Sequence, residues 1–279
     1  MTQQLINNED IVSQLDISHL TIEDDAPVDN IQSEKQQRLL VEPLYSSKVL
    51  PSPYFVAANV GLFYKLKGDP IVPDVMLSLD VQCAEDFSQK ENRSYFVWEF
   101  GKLPEVCIEI VSNAEGDELS LSRKSKQKGK SIAKKDLYSQ IRIPYYVVFD
   151  PLRQIQGETE MNGALLRVWS NFAGRCTELT PPQGITEVGQ AVWLEEVGLG
   201  LTLWSGQFEE EITRLWLRWC DQSGQVIPTG AERAELEQQR AEIERQRAED
   251  ERLRADEAET KAQRLAERLR AMGIDPDEV

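Results

Sequence analysis

Apolar residues along the 279-residue chain fall into several short runs separated by Gly, Pro, Asn and Asp. Runs of this length, rich in β-branched and aromatic side chains, predict strands. They lie at 54–60, 62–66, 75–79, 106–112, 145–150 and 165–169. A polar stretch between the fourth and fifth ends in a segment with helical spacing, residues 131–140. Strand, helix and strand in that order predict a crossover unit in a mixed sheet. FEEEITRLWLRWC, residues 208–220, places apolar residues at 208, 212, 215, 216 and 219, the spacing of one helical face.

The two ends read differently. Residues 1–40 lack an apolar period and are rich in Asp, Glu, Gln and Asn, which predicts a disordered acidic leader. Residues 231–279 are dominated by Ala, Glu, Arg and Gln, with Glu three residues ahead of Arg at 237/240, 242/245, 244/247, 249/252, 251/254 and 267/270. That spacing supports an exposed helix by a few tenths of a kcal/mol per pair. A coiled-coil-like apolar seam is confined to Ala258, Ala262, Leu265, Leu269 and Met272. The expected organisation is a leader over 1–40, a domain over 41–222, a Gly/Pro linker over 223–230 and a charged helix over 231–279. The expected fold class is α/β (α+β), a mixed central sheet flanked by helices.

Charge and composition narrow the chemistry. The net charge is −17, of which residues 41–230 hold only −6. An acidic total weakens non-specific attraction to phosphate without excluding DNA, because the local field decides. The four cysteines are scattered with no C-x-x-C pair, as expected of reduced thiols. No apolar run is long enough to span a bilayer and the N-terminus does not read as a secretion signal, so a cytoplasmic location without membrane contact is expected. The single histidine, His19, excludes Ser-His-Asp and Cys-His hydrolases and histidine-ligated zinc. Hydrolysis here would have to run on carboxylates, lysines and hydroxyls.

Two carboxylates stand out. Asp74 follows Pro73 where a strand begins, and Glu109 interrupts the apolar strand VCIEIV. In a regular strand Val106, Ile108 and Ile110 share one face, and Cys107, Glu109 and Val111 the other. An ionised carboxylate in such a run is costly unless something positive meets it. A metal ion held by Asp74, Glu109 and the Ile110 carbonyl would meet that need. Hard carboxylates leaving waters on the ion suit Mg²⁺, with a lysine beside it to orient the attacking water and the phosphate. A structural Glu–Lys salt bridge would also account for the buried acid.

The blocks AANVGLFY (57–64), VPDVMLSLD (72–80), ENRSYFVWEFGKLPEVCIEIVSNAEGDEL (91–119), IPYYVVFDP (143–151), VGLGLTLWSGQFE (197–209) and WLRWCDQSGQVIPTGAERAE (216–235) resemble the Uma-two family. That family falls in the PD-(D/E)XK nuclease superfamily. The resemblance implies a restriction-endonuclease-like fold with a four-stranded mixed core sheet, and Mg²⁺- or Mn²⁺-dependent cleavage of DNA. Asp74 matches the family's Pro-Asp aspartate and Glu109 its strand glutamate. The superfamily's usual lysine position holds Val111; in this family the lysine comes from the next helix, four residues before a tyrosine, which picks Lys134 ahead of Tyr138. An insertion over 120–131 leaves Lys130 and Lys135 as alternatives. Glu42 matches an extra N-terminal acid that some relatives place near the metal.

Arg123, Lys124, Lys126, Lys128 and Lys130 form a basic cluster that reads either as a phosphate-gripping loop or as a solvated one. Asp150 reads as a turn residue, Tyr145 and Tyr146 as core, and Trp193, Trp204, Trp216 and Trp219 as buried aromatics rather than base-stacking platforms. A homodimer is expected by analogy, since cutting two strands takes two active sites. The competing expectation is a catalytically silent nucleic-acid-binding or scaffold protein that oligomerises through its C-terminal helix.

Overall fold

The computed structural model describes residues 16–20, 22, 30–121 and 132–273. Helix α1 spans Ile31–Ser47, capped by Asn30, whose side chain accepts a hydrogen bond from the Ser33 N–H. Then come β1 (Tyr54–Ala58), β2 (Leu62–Phe63), β3 (Val75–Leu79), β4 (Tyr95–Phe96), the one-turn helix α2 (Val97–Phe100) and β5 (Val106–Ile110). Helix α3 (Lys134–Ile141) leads to β6 (Tyr145–Phe149), β7 (Leu166–Phe172) and β8 (Arg175–Glu178). Strands β9 (Ala191–Leu194), β10 (Leu199–Gln207) and β11 (Thr213–Cys220) precede the long helix α4 (Gly230–Ala271).

A six-stranded mixed sheet in the order β1-β3-β5-β6-β7-β8 forms the centre. Only β5 and β6 pair in parallel, joined by the α3 crossover; the other neighbours are antiparallel. This is the expected mixed α/β architecture, with four helices among the described residues. One face of the sheet packs Val75, Leu77, Val106, Ile108, Ile110, Val147 and Phe149 against Leu40 and Leu44 of α1 and against Leu199, Leu201, Leu203, Leu217 and Trp219 of the β11-β10-β9 sheet. The other face sets Met76, Cys107, Val111, Tyr146, Val148 and Trp169 against Tyr138 of α3 and against Leu62 and Tyr95. The sheet is therefore covered on both sides, which explains why its central strands read as nearly continuous apolar runs.

Several expectations need correction. The expected leader over 1–40 overlaps a helix: α1 starts at Ile31 and buries Leu39 and Leu40 completely. Its polar composition hid it, because Gln36 and Gln37 occupy buried positions, with Gln36 bonded to both backbone groups of Leu217. Ile17 and Leu20, in the same stretch, pack with Phe63 and Phe96. The 208–220 segment is not a helix. Its last eight residues are β11, paired with β10 from Gly200↔Cys220 to Gln207↔Thr213. Residues 215, 217 and 219 also satisfy a period of two, and pairing along the whole of β10 decides between the periods. The segment expected to link 223–230 instead turns back on β11, with Ile227 N–H bonded to the Trp219 carbonyl. The compact unit ends at Ile227.

Helix α4, in the second unit, opens on a capping box: Thr229 accepts from the Glu232 N–H, and Glu232 accepts from the Thr229 N–H. It buries no residue. The basic cluster Arg123–Lys130 lies outside the described residues.

Candidate metal centre on the β5–α3 corner

Glu109 sits in β5 with alternation as expected: Val106, Ile108 and Ile110 belong to one core and Cys107 and Val111 to the other. Glu109 itself is 1% exposed. One carboxylate oxygen accepts a hydrogen bond from the Lys134 ammonium at 2.6 Å, and the other from the Tyr138 hydroxyl at 2.8 Å. Both donors come from α3, where residues four apart lie on the same face. Lys135, one position on, points elsewhere: its ammonium lies 5.3 Å from the centre of the Trp169 ring. Of the three candidate lysines, Lys134 is thus the one that meets Glu109, while Lys130 lies outside the described residues.

Asp74 stands just ahead of β3, half-buried. One of its oxygens accepts from the Ile110 N–H at 2.7 Å, and the other from the Gln37 side-chain amide at 2.9 Å. Gln37 is held in turn by Asn59, which donates to its carbonyl oxygen at 2.8 Å. The Asp74 charge acts on both Glu109 and Lys134. The two acids and the lysine are therefore one electrostatic group, gathered from β3, β5 and α3. A strand residue's carbonyl leaves the backbone on the same side as its N–H. The Ile110 carbonyl accordingly faces the edge that Asp74 occupies.

The charges are strongly perturbed. Burial pushes the Glu109 carboxyl up to about 7 and the Asp74 charge adds to it, while Lys134 pulls the other way. Burial alone would lower the Lys134 ammonium, but the charge and hydrogen bond of Glu109, with Glu118 and Asp74 behind them, hold it above its ordinary value. Lys134 is thus a fixed cation at any ordinary pH. Tyr138 and Tyr146 are driven well above the usual phenol range by burial and by the Glu109 charge, so both remain hydroxyls.

Among the described residues, no three His, Cys, Asp or Glu side chains are grouped closely enough to cage a metal ion by themselves. The two carboxylates of this corner, Asp74 and Glu109, are hard oxygen groups, and each accepts two hydrogen bonds. Sequence reasoning did not find Gln37, Tyr138 as a partner of Glu109, or Glu118. Gln37 lies on the helix that composition concealed. The Lys-x-x-x-Tyr spacing, used to choose the lysine, was itself the signal for Tyr138. Glu42 is solvent-exposed on α1, and Gln37 on the same helix is the residue that reaches Asp74. Asp150 is fully buried and accepts from the N–H groups of Gln154 and Ile155 and from the Gln156 amide, as a turn residue would. His19 is an exposed residue hydrogen-bonded to the Leu66 carbonyl.

A family model, Uma2, described as "Putative restriction endonuclease", matches residues 15–156, about half of the chain. The chain belongs to the Uma2 family. The match runs from ahead of α1 past the end of β6, so the Uma2 region contains Gln37, Asp74, Glu109, Lys134 and Tyr138 together. Strands β7 to β11 and α4 lie beyond the Uma2 match. No curated protein and no solved structure matches the chain. No helix among the described residues is long and apolar enough to cross a membrane.

Proposed function

We propose that this Uma2 protein is a divalent-metal-dependent endodeoxyribonuclease, in which Asp74, Glu109 and the Ile110 carbonyl hold Mg²⁺ or Mn²⁺ and Lys134 serves the phosphate. The observation that carries this reading is the pairing of a fully buried Glu109, bonded to Lys134 and Tyr138, with a second carboxylate, Asp74, acting on the same corner. A salt bridge kept only for stability would gain nothing from Asp74. A second carboxylate beside a buried one raises the electrostatic cost, and a bound cation would offset it.

The residues fit such an ion. Hard oxygen donors, few in number, suit Mg²⁺, which keeps several waters. When bound, the ion would lower the pKa of a coordinated water and offset charge on the phosphate. Lys134, held as a cation, would bind a non-bridging phosphate oxygen and steady the anionic transition state. Tyr138 fixes the orientation of Glu109, and Gln37 that of Asp74. A second copy of the chain is the proposed partner for cutting the opposite strand; Leu236, Ile243, Leu253 and Leu265 of α4 are at hand as exposed contacts.

The test is nicking of supercoiled plasmid DNA with Mg²⁺ or Mn²⁺. Wild type should cut, and Asp74→Ala and Glu109→Ala should each fall by about 10³-fold, on the scale of losing several kcal/mol of transition-state stabilisation. If wild type and variants all bind DNA and none cuts it, the protein is a silent scaffold that keeps the fold.

A further inference from the structure

Beyond Asp74, Glu109 and Lys134, the same corner holds a further buried acid, Glu118. Glu118 follows the turn at Gly116, where the N–H groups of Leu119 and Ser120 both return to the Gly116 carbonyl. Its backbone is tightly docked. The Glu118 carbonyl accepts from the Lys135 N–H at 3.0 Å and from the Tyr146 hydroxyl at 2.9 Å, and the neighbouring Asp117 carbonyl accepts from the Lys134 N–H. The residue is thus held at the start of α3, beside the lysine that serves Glu109. The residue is 7% exposed, yet its Oε2 accepts no hydrogen bond from any described residue. Its charge acts on Lys134, on Glu109 and on Tyr146, and that of Asp74 acts on it.

Buried carboxylate oxygens are almost always partnered, because burial strips their water. Lys134 favours the Glu118 charge, but an oxygen left unmet in a corner that already holds two other acids is a cost that folding alone does not offset. A glutamine or leucine would fill the same volume without the charge. The arrangement makes sense if something positive or proton-donating enters the corner during function. Glu118 does not join Asp74 and Glu109 in a single cage, since no such trio of side chains exists among the described residues. Its charge reaches Glu109 and Lys134, so water kept by a hard ion in this corner would find in it an acceptor for its O–H groups.

We propose that Glu118 is the third acidic member of the metal site, its carboxylate accepting hydrogen bonds from water on the divalent ion without touching the ion itself. This rests on the metal-dependent reading of Asp74 and Glu109 given above. Glu118 is a positioning residue in this role, orienting the ion's water shell through Oε2.

The test is Mn²⁺ binding to the full chain by titration calorimetry, with no DNA present, alongside thermal melting of the metal-free protein. Glu118→Gln keeps the shape and removes the charge. Its Mn²⁺ affinity should fall by about tenfold, as is usual when a group behind the ligands is lost. Asp74→Asn should fall further. The metal-free Glu118→Gln protein should melt at the same temperature as wild type or higher, because an unmet buried charge has been removed. A merely structural Glu118 would give the opposite shift, and a lower melting temperature would therefore overturn the proposal. Unchanged affinity in Glu118→Gln, beside a loss in Asp74→Asn, overturns it too and leaves the nuclease reading standing. A wild type that binds no Mn²⁺ overturns both.

Discussion

Strand β5 is five residues long and shows two different surfaces to the protein. On one face Val106, Ile108 and Ile110 join a core of aliphatic side chains shared with α1 and the β9–β11 sheet. On the other, Cys107 and Val111 frame Glu109 among hydroxylated aromatics, Tyr138 and Tyr146, with Lys134 reaching in from α3. Both faces are equally buried. The first is held by non-directional contact and tolerates any well-packed apolar set of the same volume. The second is held by a few directed hydrogen bonds to one charge, so each member has a specific task. The lesson is that burial alone does not separate scaffold from chemistry; the kind of partner a buried group finds does.

The sharpest way to break this contrast is at Lys134 and Lys135, neighbours that α3 sends in different directions. Lys134→Ala removes the cation from Glu109. Cleavage should fall by about 10²–10³-fold, comparable to losing an oxyanion-type donor. Stability should suffer less than for an ordinary broken buried pair, because Glu109, with its carboxyl already at about 7, can neutralise itself by taking a proton. Lys135→Ala loses only the contact over Trp169, and cleavage should stay within about twofold. Equal losses in the two variants, measured on plasmid at fixed Mg²⁺, would mean that the geometry at Glu109 does not select the lysine.

Next in size is the apolar face. Ile108 is fully buried in the first core, two residues from Ile110. Ile108→Ala should cost about 3 kcal/mol by urea unfolding, the usual sum of lost transfer energy and a residual cavity. Its Mn²⁺ affinity, measured below the unfolding transition, should be that of wild type. A variant that keeps its stability but loses the metal would show that the two faces are coupled, against the comparison drawn above.

How much of this was legible beforehand follows the same division. The apolar runs gave β3 at its observed limits, Val75–Leu79, and β5 and β6 within one or two residues at their ends. Asp74 and Glu109 were visible because a charge inside an apolar run contradicts its surroundings. Helix α1 was not, since its buried positions include Gln36 and Gln37, and Pro43 lies within it. Those glutamines look like surface residues until their partners, the Leu217 backbone and the Asp74 carboxylate, are seen across the fold. β11 was misread because residues 212, 215, 216 and 219 suit a helix while 215, 217 and 219 suit a strand; only the partner strand settles it. Glu118 carried no sequence signal, for its oddity is one carboxylate oxygen without a hydrogen-bond partner among the described residues.

The smallest expected effect tests Tyr138, which belongs to both descriptions, filling the second core with its ring and bonding Glu109 with its hydroxyl. Tyr138→Phe keeps the ring and deletes the donor. A hydrogen bond to a charged group contributes about 1.5–3 kcal/mol, and the hydroxyl of Tyr138 serves a carboxylate only while Glu109 is ionised. The Glu109 pKa is raised in the fold, so its share of stability is fully present below the ordinary value near 4.5 and is lost as pH rises through about 7. The hydroxyl offsets part of that loss. Tyr138→Phe should therefore be nearly as stable as wild type at pH 5 and about 1–2 kcal/mol weaker at pH 8, both by urea unfolding without metal. A deficit of the same size at both pH values would mean that the Tyr138 hydroxyl contributes independently of the Glu109 charge, and would break its link to the charged face.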